Sequence, residues 1–243
     1  MATAFTKNQI DRLGKRLKKG NISEADSRLL DQYRRSFSAA YGIIVRTIRE
    51  QLGLEPTGRA KTTMSIVEKL RRESSRLTQI QDIAGCRVIV LDIAHQEEVI
   101  QSLKSLFEGA TVVDRRKLPS HGYRAVHVIV RSLDNMVEIQ VRTALQDLWA
   151  ELSEKLSDVM RDSTIKYGGG DEFIKQLLAA SSSSIAEVES FEMQHPTPSG
   201  FVSWGNLTDE EQELQRVVQG RKKELLERLS NAIKVVESFR VQE

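Results

Sequence analysis

The apolar positions first follow a helical rhythm. Within the basic segment KNQIDRLGKRLKK, residues 7–19, they recur at helical spacing and predict a short amphipathic helix ending at Gly20. Ser23 and Asp26 stand at N-cap spacing. Leu30, Tyr33, Phe37, Tyr41, Ile44, Ile48 and Leu52 follow at steps of three or four, which predicts one long helix from Ser23 to a C-cap at Gly53. Pro56 prevents its continuation. A polar stretch over 56–63 leads into a helix expected at 65–74, which carries Lys69, Arg71 and Arg72.

The rhythm then changes. IAGCRVIVLDI, residues 83–93, is short and rich in β-branched residues and reads as a buried strand. AHQEEVIQSLKSLF reads as a helix, and ATVVDRR, YRAVHVIVRS and MVEIQVRT as three more strands. Leu133, Asp134 and Asn135 separate the last two, as in a hairpin. Helical spacing returns over Ala144–Met160, with Leu145, Leu148, Trp149, Leu152 and Leu156 on one side. Gly168 to Gly170 interrupt the chain. The next helix, Asp171 to about Phe191, contains Ser181 to Ser184, a poor helical stretch. QHPTPSGFVSWGN, 194–206, is a turn-rich connector, and Thr208 with Glu211 forms a capping box for a last helix to about Arg240. Helices, then a mixed sheet with one crossover, then helices give an α/β (α+β) class. Three segments are expected in one compact domain: an N-terminal helical segment 1–53, a core 54–162 and a C-terminal helical extension 163–243.

Composition narrows this little. Apolar residues make up 40% and charged residues 29%, and 36 Lys+Arg against 34 Asp+Glu leave a net charge of +2. Phosphate binding must therefore come from local clustering. Cys86 is the single cysteine, so no intrachain disulfide forms, and its apolar surroundings favour an inert thiol over a nucleophile. The N-terminus turns polar and basic without the apolar core of a signal peptide, and no apolar run reaches membrane-span length. A soluble, cytoplasmic protein is the expectation.

Several side chains carry candidate chemistry. Arg59, Lys61, Ser65 and Lys69 sit where a loop enters a helix, and a helix N-terminus with a hydroxyl and ammonium groups suits a polyphosphate. Taken alone, the cluster reads better as a solvated basic turn. Asp82 precedes the strand holding Arg87, a common place for a Mg²⁺ ligand and for a plain cap. Glu138, Gln140 and Arg142 take successive positions on the outward, polar face of one strand, and His127 and Arg131 share a face of its neighbour. An exposed sheet face with cross-strand ion pairs would look the same. Tyr123 follows Ser120-His121-Gly122 in a flexible, polar loop at a strand entrance, where a ring stacks on a base or packs on the core.

Together these segments resemble a known family. RAKTTMSIVEKL, DIAGCRVIV, HGYRAVH and VEIQVRTALQDLWAE occur in the order of the RelA/SpoT synthetase domain, and the chain is most similar to its small alarmone synthetase branch over about 59–154. The resemblance implies a nucleotidyltransferase-like synthetase core of mixed sheet flanked by N- and C-terminal helices. It implies that Arg59 and Arg87 sandwich adenine, that Lys61, Ser65 and Lys69 contact ATP phosphates, and that Asp82 and Glu138 hold Mg²⁺. Glu138 would also be the general base. Tyr123 would stack on the acceptor base and His127 would contact the acceptor, while Gln140 and Arg142 would hold that side together. The implied reaction is a GTP pyrophosphokinase reaction, with ATP as donor and GDP or GTP as acceptor, giving (p)ppGpp for the stringent response. Nothing resembling the hydrolase or regulatory domains of the long family members is present, which implies synthesis alone.

The sequence departs from the family at KLPSHGY, which lacks a basic residue just before Gly-Tyr, and at ELSEKLSDVM, which ends the helix after the signature. Both departures fall on the acceptor side. Alternative acceptors are therefore the 3′ CCA end of tRNA or an adenine nucleotide giving ppApp; Lys15, Arg16, Lys18 and Lys19 could grip an RNA backbone but read more readily as a solvated helix face. A tRNA-directed toxin would imply an antitoxin. A catalytically silent nucleotide-binding module is disfavoured because Asp82 and Glu138 are both present. The apolar faces of the terminal helices fit a homo-oligomer.

Overall fold

A computed structural model describes residues 5–20, 22–59, 61–195 and 208–240. The chain runs α1 (Lys7–Lys19), α2 (Glu24–Arg35), α3 (Ser38–Leu52), β1 (Thr57–Gly58), α4 (Thr63–Arg72), β2 (Ala84–Val90), α5 (Ile93–Leu106), β3 (Thr111–Asp114), β4 (Val126–Ser132), β5 (Asn135–Thr143), α6 (Ala144–Val159), α7 (Glu172–Gln194) and α8 (Asp209–Arg240). The strands form one mixed five-stranded sheet in the order β1-β2-β5-β4-β3. β1 pairs antiparallel with β2, Thr57 opposite Arg87 and Gly58 opposite Cys86.

Most predicted elements form, and the differences have local causes. The single helix expected from Ser23 to Leu52 is two helices. The Ser36 hydroxyl donates to the Tyr33 carbonyl at 2.6 Å, and the Ser36 carbonyl accepts from Asn135 Nδ2 at 3.3 Å. Such serine back-bonding bends helices. Ser36 and Phe37 keep near-helical dihedrals, so the apolar rhythm passes through the break unaltered. The β4–β5 connection is shorter than expected. Only Leu133 and Asp134 form the turn, both at positive φ (45° and 64°), and Asn135 already belongs to β5. This is the backbone of a type I′ hairpin, although neither residue is the glycine that turn prefers. Ser181 to Ser184 lie inside α7, where Ser182 is buried and the Ser181 hydroxyl donates to the Leu177 carbonyl at 2.8 Å. The capping box at Thr208 and Glu211 forms as predicted. Residues 196–206 of the expected connector lie outside the described residues.

The fold divides into two compact units. Unit 1 holds residues 1–88, 101–112 and 127–140. Its helical core packs Ile10, Leu13 and Leu17 of α1 against Ile66, Val67 and Leu70 of α4, with Leu30, Phe37, Leu77, Ile80 and Ile83. A fully buried Leu or Ile contributes roughly 2 kcal/mol relative to exposure, so α4 has a firm seat. The Asp11 carboxylate adds to it by accepting from the Thr78 backbone N–H (3.2 Å) and hydroxyl (2.7 Å).

Unit 2 holds residues 89–100, 113–126 and 141–243. Leu145, Trp149, Leu152 and Leu156 of α6 pack with Ile174, Leu178, Ile185 and Val188 of α7 and Leu229 and Ile233 of α8. Among the described residues no helix is long and apolar enough to cross a membrane.

Candidate active site

In unit 1 the chemistry gathers at the start of α4. Thr62 is the N-cap: its hydroxyl oxygen accepts from the Ser65 N–H at 3.2 Å and its O–H reaches Ser65 Oγ at 2.9 Å. This places Ser65 in the first turn, where unpaired N–H groups and the helix dipole favour an anion. Lys61 stands just before the cap and Lys69 lies one turn beyond Ser65. Both ammonium groups converge on Asp82: Lys69 Nζ lies 3.1 Å from Oδ1, and Lys61 Nζ pairs with Oδ2. Burial opposes ionising Asp82, yet the charges of Lys61 and Lys69 outweigh it and hold the carboxyl below its usual value. Burial and the nearby Lys69 and Arg59 push the Lys61 ammonium down, against the pull of Asp82. Two cations thus share one anion in half-buried surroundings, which leaves positive charge for a phosphate.

Glu138 lies on β5 in the same unit. Its Oε2 meets His127 Nδ1 at 3.1 Å, and its Oε1 accepts from Gln140 Nε2 at 2.5 Å. Burial would raise its pKa, but the hydrogen bond and charge of His127, then Gln140 and Arg59, bring it to about 2. The neighbouring residue on β2 must be small: a Cβ on Gly85 would meet the Glu138 carbonyl oxygen at 2.9 Å. Gly85 also accepts the Arg59 N–H at 2.9 Å, which sets Arg59 beside β2, the strand that carries Arg87. Glu138 is close enough to Asp82 for its charge to oppose ionisation there. Two ionised carboxylates suit Mg²⁺, which binds through one or two carboxylates with phosphates and water completing its shell.

The expected outward face of β5 is not outward. Gln140 is 2% exposed and Arg142 1%. The face is polar because its groups pair inside the protein, Gln140 with Glu138 and Arg142 with Asp147 and Tyr123, an arrangement that alternation alone does not distinguish from solvent exposure. Gln140 touches Glu138. Arg142, in unit 2, donates to Asp147 Oδ1 at 2.9 Å and to the Tyr123 hydroxyl at 3.0 Å, with its guanidinium carbon 5.2 Å from the Tyr123 ring centre.

The loop carrying Tyr123 is more ordered than its composition predicts. Ser120 and Tyr123 exchange backbone hydrogen bonds of 3.0 and 3.3 Å, and His121 (φ 55°) and Gly122 (φ 87°) complete a tight turn. A Cβ on Gly122 would lie 2.8 Å from Trp149 Cζ2. The Tyr123 ring packs at 6.4 Å on Trp149, whose indole N–H donates to the Leu178 carbonyl at 2.9 Å. Strand β4 therefore starts at Val126, after the tyrosine rather than with it.

Sequence reasoning missed the N-cap Thr62 and the Arg142 partner Asp147. Thr62, three residues before Ser65, had a readable cap signal; Asp147, five residues after Arg142 across a strand-to-helix junction, had none. Cys86 is buried and its thiol is pushed up to about 12 by desolvation first and Glu138 second, in keeping with an inert thiol. Of the basic N-terminal residues, Arg16 binds Asp26 at 2.7 Å, whereas Lys15 and Lys19 are exposed.

Residues 58–157 match the family model for the region found in RelA/SpoT proteins, and all four motif segments lie inside it. The chain carries a RelA/SpoT region. The uncharacterized protein Rv1366 of Mycobacterium tuberculosis is 40% identical over 130 residues, 51% of this chain and 45% of that protein. GTP pyrophosphokinase YjbM of Bacillus subtilis is 34% identical over 116 residues, 42% of this chain and 54% of that protein. The chain thus spans about half the length of the curated relatives it matches. Small alarmone synthetase 1 of Bacillus subtilis, solved with its product pppGpp, aligns with a TM-score of 0.54 at 27% identity, covering 71% of this chain and 96% of that one. The RelA/SpoT region and its flanking helices have the small alarmone synthetase fold.

Proposed function

We propose that this chain is an ATP-dependent pyrophosphokinase that transfers the β,γ-pyrophosphate of ATP to the ribose 3′-hydroxyl of GDP or GTP, releasing AMP and making (p)ppGpp. The observation that carries this reading is the convergence of Lys61 and Lys69 on Asp82 at the N-terminus of α4, with Glu138 in electrostatic reach. The RelA/SpoT region and the named relatives support the same chemistry.

Lys61, Lys69 and the first-turn N–H groups near Ser65 receive the triphosphate, so that negative charge moving in the transition state stays close to fixed positive charge. Arg59 and Arg87 hold the adenine. Mg²⁺, held by Asp82 and Glu138, would neutralise phosphate charge and polarise the β-phosphorus. The acceptor 3′-oxygen forms a bond to the β-phosphorus, the bond from that phosphorus to the oxygen bridging the α-phosphate breaks, and AMP departs with the bridging oxygen. The 3′-hydroxyl proton passes to Glu138. A carboxylate with a pKa of about 2 accepts a hydrogen bond from the hydroxyl early and its proton late, once bonding to phosphorus has made the oxygen acidic. His127 and Gln140 fix the orientation of Glu138. Tyr123 stacks on the acceptor base, and Arg142 orients that ring.

The test is purified chain incubated with β-labelled ATP and Mg²⁺ against GDP, GTP, ADP and deacylated tRNA in parallel. Label in the guanosine nucleotide upholds the reading. Label confined to RNA or to the adenine nucleotide overturns the acceptor, and no transfer to any of the four overturns the activity.

A further inference from the structure

The Tyr123 loop is tied down by a residue far beyond the RelA/SpoT region. The eleven residues 115–125 between β3 and β4 contain no element longer than the turn at Tyr123. Ordering such a segment costs conformational entropy that local contacts must offset. The Arg115 N–H closes the loop on the Ala125 carbonyl at 2.9 Å, and a guanidinium anchors each end. Arg116 donates to Asp114 (2.9 and 2.7 Å), Glu97 (2.5 Å) and Gln96 (3.1 Å). Arg124, next to Tyr123, gives both Nε (2.9 Å) and Nη2 (2.7 Å) to one oxygen of Glu189 in α7.

These anchors are joined through the interior by two buried glutamines that exchange hydrogen bonds, Gln146 Nε2 also donating to Gln96 Oε1 at 3.4 Å. Arg116 donates to Gln96 Oε1, Gln96 Nε2 to Gln146 Oε1 at 2.9 Å, and Gln146 Nε2 to Glu189 Oε1 at 2.5 Å. Glu189 is where donation from both sides ends. Both of its oxygens face donors, it is 3% exposed, and Gln96 and Gln146 are fully buried. No neutral side chain of that shape can replace it, because a carboxamide turns its own NH₂ group towards one of those donors. Breaking one side of a buried, hydrogen-bonded charge pair is costly even where the intact pair adds little net stability.

We propose that Glu189 is a positioning residue for the acceptor: through Arg124 it fixes the 115–125 loop, and with it the ring of Tyr123. The kinetic consequence rests on the pyrophosphate-transfer reading above, whereas the structural consequence stands without it.

Both are measured on the full chain with Glu189→Gln. In nucleotide-free protein, amide hydrogen exchange over 115–125 should quicken about tenfold or more while α4 keeps its protection. In the transfer assay KM for the guanosine acceptor should rise about tenfold, with KM for ATP within twofold and kcat little changed. A merely structural lesion would instead lower the melting temperature and the active fraction and leave the acceptor KM alone. In an Arg124→Gln background the same change should add no further rise in acceptor KM, since the partner is already gone. Unchanged exchange over 115–125 overturns the proposal, as does an acceptor KM equal to that of the parent protein. Should the parent protein transfer to no acceptor, the exchange measurement decides alone: lost protection upholds the positioning role and retained protection refutes it.

Discussion

The Lys61–Asp82–Lys69 cluster of unit 1 and the Tyr123 turn of unit 2 are both rich in charge, but their charges are in different condition. At the start of α4 two ammonium groups share one carboxylate in half-buried surroundings, and the first turn of the helix, which holds Ser65, has no acidic residue of its own. Around Tyr123 three guanidinium groups have carboxylates of their own: Arg116 has Asp114 and Glu97, Arg124 has Glu189, and Arg142 has Asp147. The first arrangement leaves positive charge over for a ligand, and the second uses its charge to hold backbone and ring in place. A basic residue in a motif is therefore a ligand contact or a scaffold according to whether the fold has already supplied its counter-ion.

That difference predicts graded and separable effects. Glu138→Gln should lower transfer about 10³-fold, since it removes both a proton acceptor and a metal-binding charge. ATP affinity, followed by calorimetry, should stay within a few fold. Transfer at the parent rate would remove Glu138 from the chemistry. Lys61→Met should come next, lowering kcat/KM for ATP about 10²-fold and leaving the acceptor KM within twofold. An effect confined to the acceptor would reverse the assignment of the two clusters. Tyr123→Leu should have the smallest effect, raising acceptor KM about tenfold with ATP parameters unchanged. Tyr123→Phe, which keeps the ring and loses only the Arg142 hydrogen bond, should retain most of the affinity. If the two substitutions were equally damaging, the hydroxyl rather than the stacking face would be the working part.

How much of this was legible in the sequence depended on whether the signal was local. Helix α1 with its Gly20 cap, the Thr208–Glu211 box and the β4–β5 pair are written in residues within a few positions of one another, and all appear. The break at Ser36 was hidden because the residues around it remain near-helical and preserve the apolar rhythm. Strand β1 was missed because two residues carry no periodicity. Within the candidate site, Lys61, Ser65 and Lys69 could be grouped from spacing. Asp82 could be added only through resemblance, being 13 residues from Lys69. Alternation marked β5 as two-faced, but it cannot say whether a polar face meets water or other polar groups, so the burial of Gln140 and Arg142 could not be read. Glu189, 65 residues from Arg124 on a helix without a motif, had no signal at all.

The most direct test follows the leaving group. With equimolar ATP and GDP, AMP should appear one-for-one with guanosine carrying a 3′-pyrophosphate, both read by phosphorus NMR, and both should vanish together in Glu138→Gln. ADP as the leaving nucleotide would contradict pyrophosphate transfer by this chain, and AMP formed without a guanosine product would contradict transfer to guanosine.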